Sequence, residues 1–177
     1  MRFYREGMTH GRAICYLLNV RATTFQEMVL EHLNDGWDLL IAHPPCTRLC
    51  NSGVCWLAKR DLWKEMEEAA QFFLELLNAP VPKKCVENPI PHKYALEIIG
   101  RKYDQIIQPY EFGHPERKAT CFWLEGLPPL MPTELVELPA DKSKAQRLHY
   151  LPPSPERAMI RSKTYTGIAK AMAEQWG

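Results

Sequence analysis

No run of this 177-residue sequence is apolar for long enough to cross a membrane. The amino terminus, MRFYREGMTHGRAICYLL, carries charges but no clean apolar core before a cleavage site, so no secretion signal is expected. Surplus charge is also missing. Lys and Arg total 22 against 21 Asp and Glu, and a net charge of +1 excludes a global field that would draw the protein onto nucleic acid. No internal repeat divides the chain. The six cysteines (15, 46, 50, 55, 85 and 121) lack the paired spacing of a zinc site, so no metal is expected at Cys46, Cys50 and Cys55. Scattered thiols without a secretion signal read as reduced cysteines of a cytoplasmic protein.

What is present is ordinary for one globular domain spanning 1–177: 46% hydrophobic and 24% charged residues, enough chain for a real core. The charge is mildly uneven. Residues 1–80 hold 8 Lys and Arg and 10 Asp and Glu, whereas residues 81–177 hold 14 and 11, so an acidic partner should meet the second half. Fifteen prolines imply many defined turns.

Apolar periodicity places the elements. Residues 23–33 have helical spacing, with Gly36 as the stop. Residues 38–43 form a short, continuously apolar strand. Residues 61–80 put apolar side chains at 62, 66, 69, 73, 76 and 77, a helical stripe with Asp61 as N-cap and Pro80 beyond the end. Strands follow at 83–87, 104–108 and 119–124, and a short helix at HKYALEII closes on Gly100. Residues 126–155 read as a proline-rich loop region, and a terminal helix at 165–176 carries Ile168, Ala169, Met172 and Trp176 on one side. Strand, long helix, strand, helix, strand is the order of an α/β domain with a mostly parallel sheet. The strand ending at His43 should neighbour the strand ending at Glu87, with the long helix over one face.

In an open α/β sheet the ligand site lies beyond the carboxyl ends of the strands. Two such ends carry functional groups next to proline: PPC after LLIAH, and ENP after KKCV. Proline stiffens both turns. Cys46 and Glu87 should therefore face one crevice, a thiol beside a carboxyl, which suits nucleophilic catalysis with a general acid. Each residue has a plainer reading. Cysteines are commonly small core residues, and a strand-end Glu can cap a helix. His43, His92, His114 and His149 read as turn or surface residues. The five tryptophans read as packing, with Trp56 also placed to stack on a base. The segment LPADKSKAQRLHYLPPSPER is either a solvated connection or a phosphate-contacting arm.

PPCTRLCNSG and VENP resemble the motifs Pro-Cys-Gln-x-Phe-Ser-x-Ser-Gly and Glu-Asn-Val of the DNA (cytosine-5) methyltransferases. YEFGHPERKATCFWL resembles their later Tyr-Gly-Val-Pro-Gln-x-Arg-x-Arg-Val-Phe motif. RSKTYTGIAKAMAEQW resembles their final one. Order and spacing agree over roughly residues 37–176, and the likeness is nearest to small phage-encoded members without a target-recognition domain. The resemblance implies a Rossmann-like, three-layer methyltransferase fold. It implies Cys46 as the nucleophile on carbon 6 of cytosine, Glu87 at ring nitrogen 3, and Asn88 fixing the loop. Arg48, Ser52, Arg117 and Lys118 would meet the substrate, and Arg48 would favour the thiolate. Pro45, Tyr165 and Thr166 would meet S-adenosylmethionine, whose methyl group goes to carbon 5. The partner would be cytosine-containing DNA or a nucleotide, in a host cytoplasm if the gene is a phage's.

The departures from the family pattern are equally specific. Thr47 stands for its Gln, Leu49-Cys50 for Phe-Ser, and one basic position after Arg117 and Lys118 is lost. Residues 1–36 are divergent: they show neither the glycine turn nor the ribose-holding acid. A shifted start, an N-terminal truncation and a degenerate cofactor pocket all account for that. Weak or absent binding of S-adenosylmethionine is expected. About thirty residues between the third motif and the last helix leave no room for a specificity domain, so specificity would be low or supplied by a protein partner. A catalytically inactive relative that binds nucleic acid or acts as a decoy is the alternative. Thiol addition to a pyrimidine without the cofactor is a third reading.

Overall fold

The computed structural model describes residues 13–17 and 23–177. Its elements are β1 (Ala13–Leu17), α1 (Thr23–His32), β2 (Leu39–His43), α2 (Cys55–Lys59), α3 (Trp63–Leu77), β3 (Lys83–Pro89), α4 (Lys93–Ile99), β4 (Gln105–Ile107), β5 (Thr120–Glu125), α5 (Lys142–Ala145), α6 (Arg157–Ser162) and α7 (Thr166–Trp176). The five strands form one open mixed sheet in the order β1-β2-β3-β5-β4. β1, β2 and β3 pair in parallel, while β5 runs antiparallel to both neighbours. The α/β class and the pairing of β2 with β3 are as expected. The reversal of β5 is the difference. No crossover helix lies between β4 and β5, so the chain returns through a turn and inserts its strand in the opposite sense.

Side chains alternate along the strands, so the sheet has two apolar faces. Leu40, Ala42, Val86, Cys121 and Trp123 pack with α1, α3 and α4. Leu39, Cys85, Phe122 and Leu124 pack with Ile168, Ala171, Met172 and Trp176 of α7. The sequence stripe of α7 is thus right at three positions, but Ala171 is buried and Ala169 exposed.

α3 begins at Trp63, and its N-cap is Leu62 rather than Asp61. Asp61 instead takes a left-handed φ of 49° just after α2, where the chain reverses into α3. Three short helices, α2, α5 and α6, were not anticipated. Neither was β1, since an apolar run set among charged residues gives little strand signal before its partner is known. The expectations for residues 1–12 and 18–22 lie outside the described residues.

Candidate functional site

Period-two alternation builds the base of the site. β2 and β3 pair in register up to Ala42 and Val86. The next residues, His43 and Glu87, therefore stand side by side on the α7 face. His43 Nδ1 lies 3.3 Å from Glu87 Oε1, and both side chains are mostly buried. Burial pushes the Glu87 carboxyl up, but the charge of His43, its hydrogen bond and the Lys118 ammonium outweigh that and hold it below the carboxylate range. The expectation that His43 and His92 are turn or surface residues is corrected here. His43 is the partner of Glu87, and His92 is fully buried.

His92 ties the two strand ends together. It caps α4, its Nδ1 accepting from Ala95 N at 3.0 Å, so Nε2 carries the hydrogen and donates to Arg48 O at 2.8 Å. Backbone bonds from Asn51 N to Ile90 O (2.9 Å) and from His92 N to Leu49 O (3.0 Å) complete the join. The turn carrying Cys46 is thereby fastened to the turn that follows Glu87.

Within that turn the amides of Leu49 and Cys50 both donate to Cys46 O at 3.0 Å. The tight turn sets the Cys46 and Cys50 thiols on one cavity wall, where each acts on the other's ionisation. The sulfurs are not equivalent. Cys50 is lowered to about 5, first by the hydrogen bond from Cys46, then by Ser52 and the amides of Gly53 and Ser52, which together outweigh burial. Ser52 Oγ is 3.1 Å from Cys50 Sγ. Cys46 is raised, by its bond to Cys50, by burial and by the negative charges of Cys50 and Glu87, with Lys118 opposing. Cys50 is therefore the more acidic of the two thiols. Gly53 permits this geometry, since a Cβ there would stand 2.6 Å from Thr47 O.

An open cavity of about 740 Å³ lies over these groups. Its wall includes His43, Pro45, Cys46, Cys50, Ser52, Trp56, Glu87 and Lys118, together with Arg157 and Arg161 of α6. A second, water-sized space of about 20 Å³ behind it reaches Tyr165, Ile168 and Met172. Among the described residues no group of three or more His, Cys, Asp or Glu is arranged to hold a metal, and no helix is long and apolar enough to cross a membrane.

The sequence-derived site residues divide. Cys46, Glu87, Ser52, Pro45 and Lys118 meet at the cavity. Asn88 is buried at the same strand end, its Nδ2 bonded to Pro89 O at 2.6 Å and its Oδ1 unpartnered. Arg48 turns away to an ion pair with Glu65 of α3, so Lys118 is the cation that acts on Cys46. Arg117 is exposed and is not on the cavity wall, its amide donating to Ala145 O. Tyr165 donates its hydroxyl to Glu116 Oε2 at 2.9 Å, and Thr166 lies 3.4 Å from His114 Nε2. Sequence reasoning missed His43, Cys50, Arg157 and Arg161. For His43 the signal was there: two-residue alternation from Leu39 and Ile41 puts it on the face of Glu87.

No protein-family model and no curated protein matches the chain.

Proposed function

We propose that this protein activates the pyrimidine ring of cytosine by thiol addition, as a relative of the DNA (cytosine-5) methyltransferases. The observation that carries the reading is a thiol pair and a buried His–Glu pair on the wall of one cavity. Cys46 is the more accessible sulfur, so it attacks carbon 6 as its proton passes to the Cys50 thiolate. The ring electrons move to carbon 5. Glu87 is ionised at rest, so ring nitrogen 3 takes the proton of the His43 imidazolium, relayed through the Glu87 carboxylate that holds the ring. Carbon 5 is then nucleophilic. It takes a proton from solvent, and loss of its original hydrogen to a base, expulsion of the Cys46 sulfur and return of the ring nitrogen proton then regenerate the site.

In the methyltransferases this carbon takes a methyl group from S-adenosylmethionine. The residues here that resemblance assigns to that cofactor do not converge on it. Tyr165 and Thr166 are engaged with Glu116 and His114, and only Pro45 lies on the large cavity. The same engagement favours the second reading, a non-catalytic nucleic-acid-binding relative.

Ring activation without a methyl donor exchanges the carbon 5 hydrogen for solvent deuterium. Mass spectrometry of deoxycytidine monophosphate and of single-stranded and duplex DNA incubated in D₂O should show that exchange. Cys46→Ser should abolish it, and Glu87→Gln should slow it about 10²–10⁴-fold. Absence of exchange on all three substrates would establish the non-catalytic reading.

A further inference from the structure

The cavity is electrically divided. At its floor stand Glu87 and the Cys50 thiolate, with His43 and Lys118 beside them. Its outer wall is α6, where Arg157 and Arg161 are one helical turn apart and both line the space. Lys118 links the two regions, its Nζ donating to Arg161 O at 3.0 Å. Three other described arginines have carboxylate partners, Arg48 with Glu65, Arg101 with Asp104 and Arg147 with Glu116, while Arg60 lies over Trp56 and Arg117 is exposed away from the cavity. Among the described residues no ion pair holds Arg157, Arg161 or Lys118. Arg157 also buries its Nε with no hydrogen-bond acceptor. A desolvated guanidinium donor without an acceptor is costly, and such groups are normally matched to an anion. The hydroxyl-bearing residues Ser154 and Ser162 stand on the same wall.

We propose that Arg157 and Arg161, with Lys118, form a phosphate subsite that holds the phosphate of the target nucleotide while its base reaches the thiol pair. The proposal rests on the pyrimidine reading for the identity of the base and on the arginine wall alone for the phosphate. Charge sets the orientation. A dianionic phosphate is repelled from the Glu87 floor and attracted to α6, so the uncharged ring enters first. The volume of about 740 Å³ lies within the range of about 300–1,000 Å³ usual for small-ligand sites. The segment that brings Arg157 to the wall ends the proline-rich arm that sequence alone left as either linker or phosphate contact.

The phosphate can belong to a free nucleotide or to a polynucleotide backbone. Titration calorimetry of the full chain with deoxycytidine, deoxycytidine monophosphate, deoxyadenosine monophosphate, inorganic phosphate and a short single-stranded oligonucleotide separates the cases. Deoxycytidine monophosphate should bind about tenfold or more tightly than deoxycytidine, from charge-assisted bonds to arginine. Arg157→Gln with Arg161→Gln should remove that advantage and leave deoxycytidine affinity unchanged. Arg157→Lys should restore part of it, and thermal unfolding shows whether the double variant is folded. Equal binding of nucleoside and nucleotide by the wild type would overturn the subsite and leave the pyrimidine reading standing. Equal binding of the adenine and cytosine nucleotides, both lost in the double variant, would keep the subsite and sink the pyrimidine reading. A salt-dependent oligonucleotide affinity that falls with Arg157→Gln, without nucleotide binding, would assign the subsite to a backbone phosphate. No binding of any anion, inorganic phosphate included, would overturn it.

Discussion

Two thiols four residues apart ionise unequally, and the surroundings decide which gives up its proton first. Cys50 has Ser52 and two amides to stabilise a negative charge, and Cys46 has Glu87 nearby to oppose one. Alkylation by iodoacetamide should therefore begin near pH 5, well below the onset for a free thiol of pKa about 8.5. Cys46→Ala removes the largest influence lowering Cys50, so the onset should move up in pH; an unmoved onset would show that the two sulfurs are independent. Cys50→Ser should slow deuterium exchange and shift its pH profile alkaline, because Cys46 loses its proton acceptor. Glu87 gives a second pH signature. Its folded pKa is lowered, so its ionisation stabilises the fold fully above the ordinary carboxylate range, and the gain is lost as pH falls through the lowered value. The stability difference between the wild type and Glu87→Gln, followed by urea unfolding, should shrink from pH 7 toward pH 3. A difference that grows toward acid would mean that Glu87 is protonated in the native state. Charge at Cys50 was not legible in the sequence, because it arises from amide directions in a turn. Cys46 and Glu87 were legible because one lies just past an apolar strand and the other near the end of another, each within two residues of a proline.

At the scale of elements, the site depends on two turns that hold each other. The turn after β2 and the turn after β3 share two backbone bonds, and His92 adds the side-chain link to Arg48 O. Removing His92 uncaps α4 and strands a buried carbonyl, so His92→Ala should cost about 1–3 kcal/mol by urea unfolding. It should also slow deuterium exchange more than its stability loss explains, measured at a temperature where the variant is fully folded. A stability loss with unchanged exchange would make His92 a cap and nothing more. Periodicity made β2 to β5 and α1, α3, α4 and α7 legible within a few residues, because each carries a regular apolar pattern. It failed for α2, α5 and α6, which are too short to show a period, and for the Asp61 cap, where a left-handed turn took the residue that composition assigned to the helix start. Arg48 illustrates the limit for the site. Its place beside Cys46 in sequence says nothing about Glu65 on α3, which claims its guanidinium.

Over the whole molecule, the face of the sheet that carries His43 and Glu87 is also the face that α7 covers. Ile168, Met172 and Trp176 of α7 pack against Phe122 and Leu124 of β5, and Trp176 Nε1 donates to Pro128 O at 3.0 Å. The start of α7 is fixed to the motif before β5: His114 Nε2 accepts from Gly167 N at 2.9 Å, and Gly167 lies so close to Phe112 O that no Cβ fits. One helix thus closes the second core and forms the rear of the small space behind Glu87. Trp176 and Trp56 should then separate stability from binding. Trp176 is 2% exposed, so Trp176→Ala removes a buried aromatic and should cost about 3–5 kcal/mol, a large share of the 5–15 kcal/mol typical of a domain. Trp56 is 44% exposed on the cavity wall, with the Arg60 guanidinium 4.4 Å from its ring centroid. Trp56→Ala should change stability little and weaken nucleotide affinity by about 1–3 kcal/mol if the indole stacks on the base. Urea unfolding and nucleotide titration of both variants make the comparison. Loss of binding in Trp176→Ala while the protein is still fully folded would place α7 in the ligand site itself. An equal loss of stability from both tryptophans would mean that the cavity wall is part of the core.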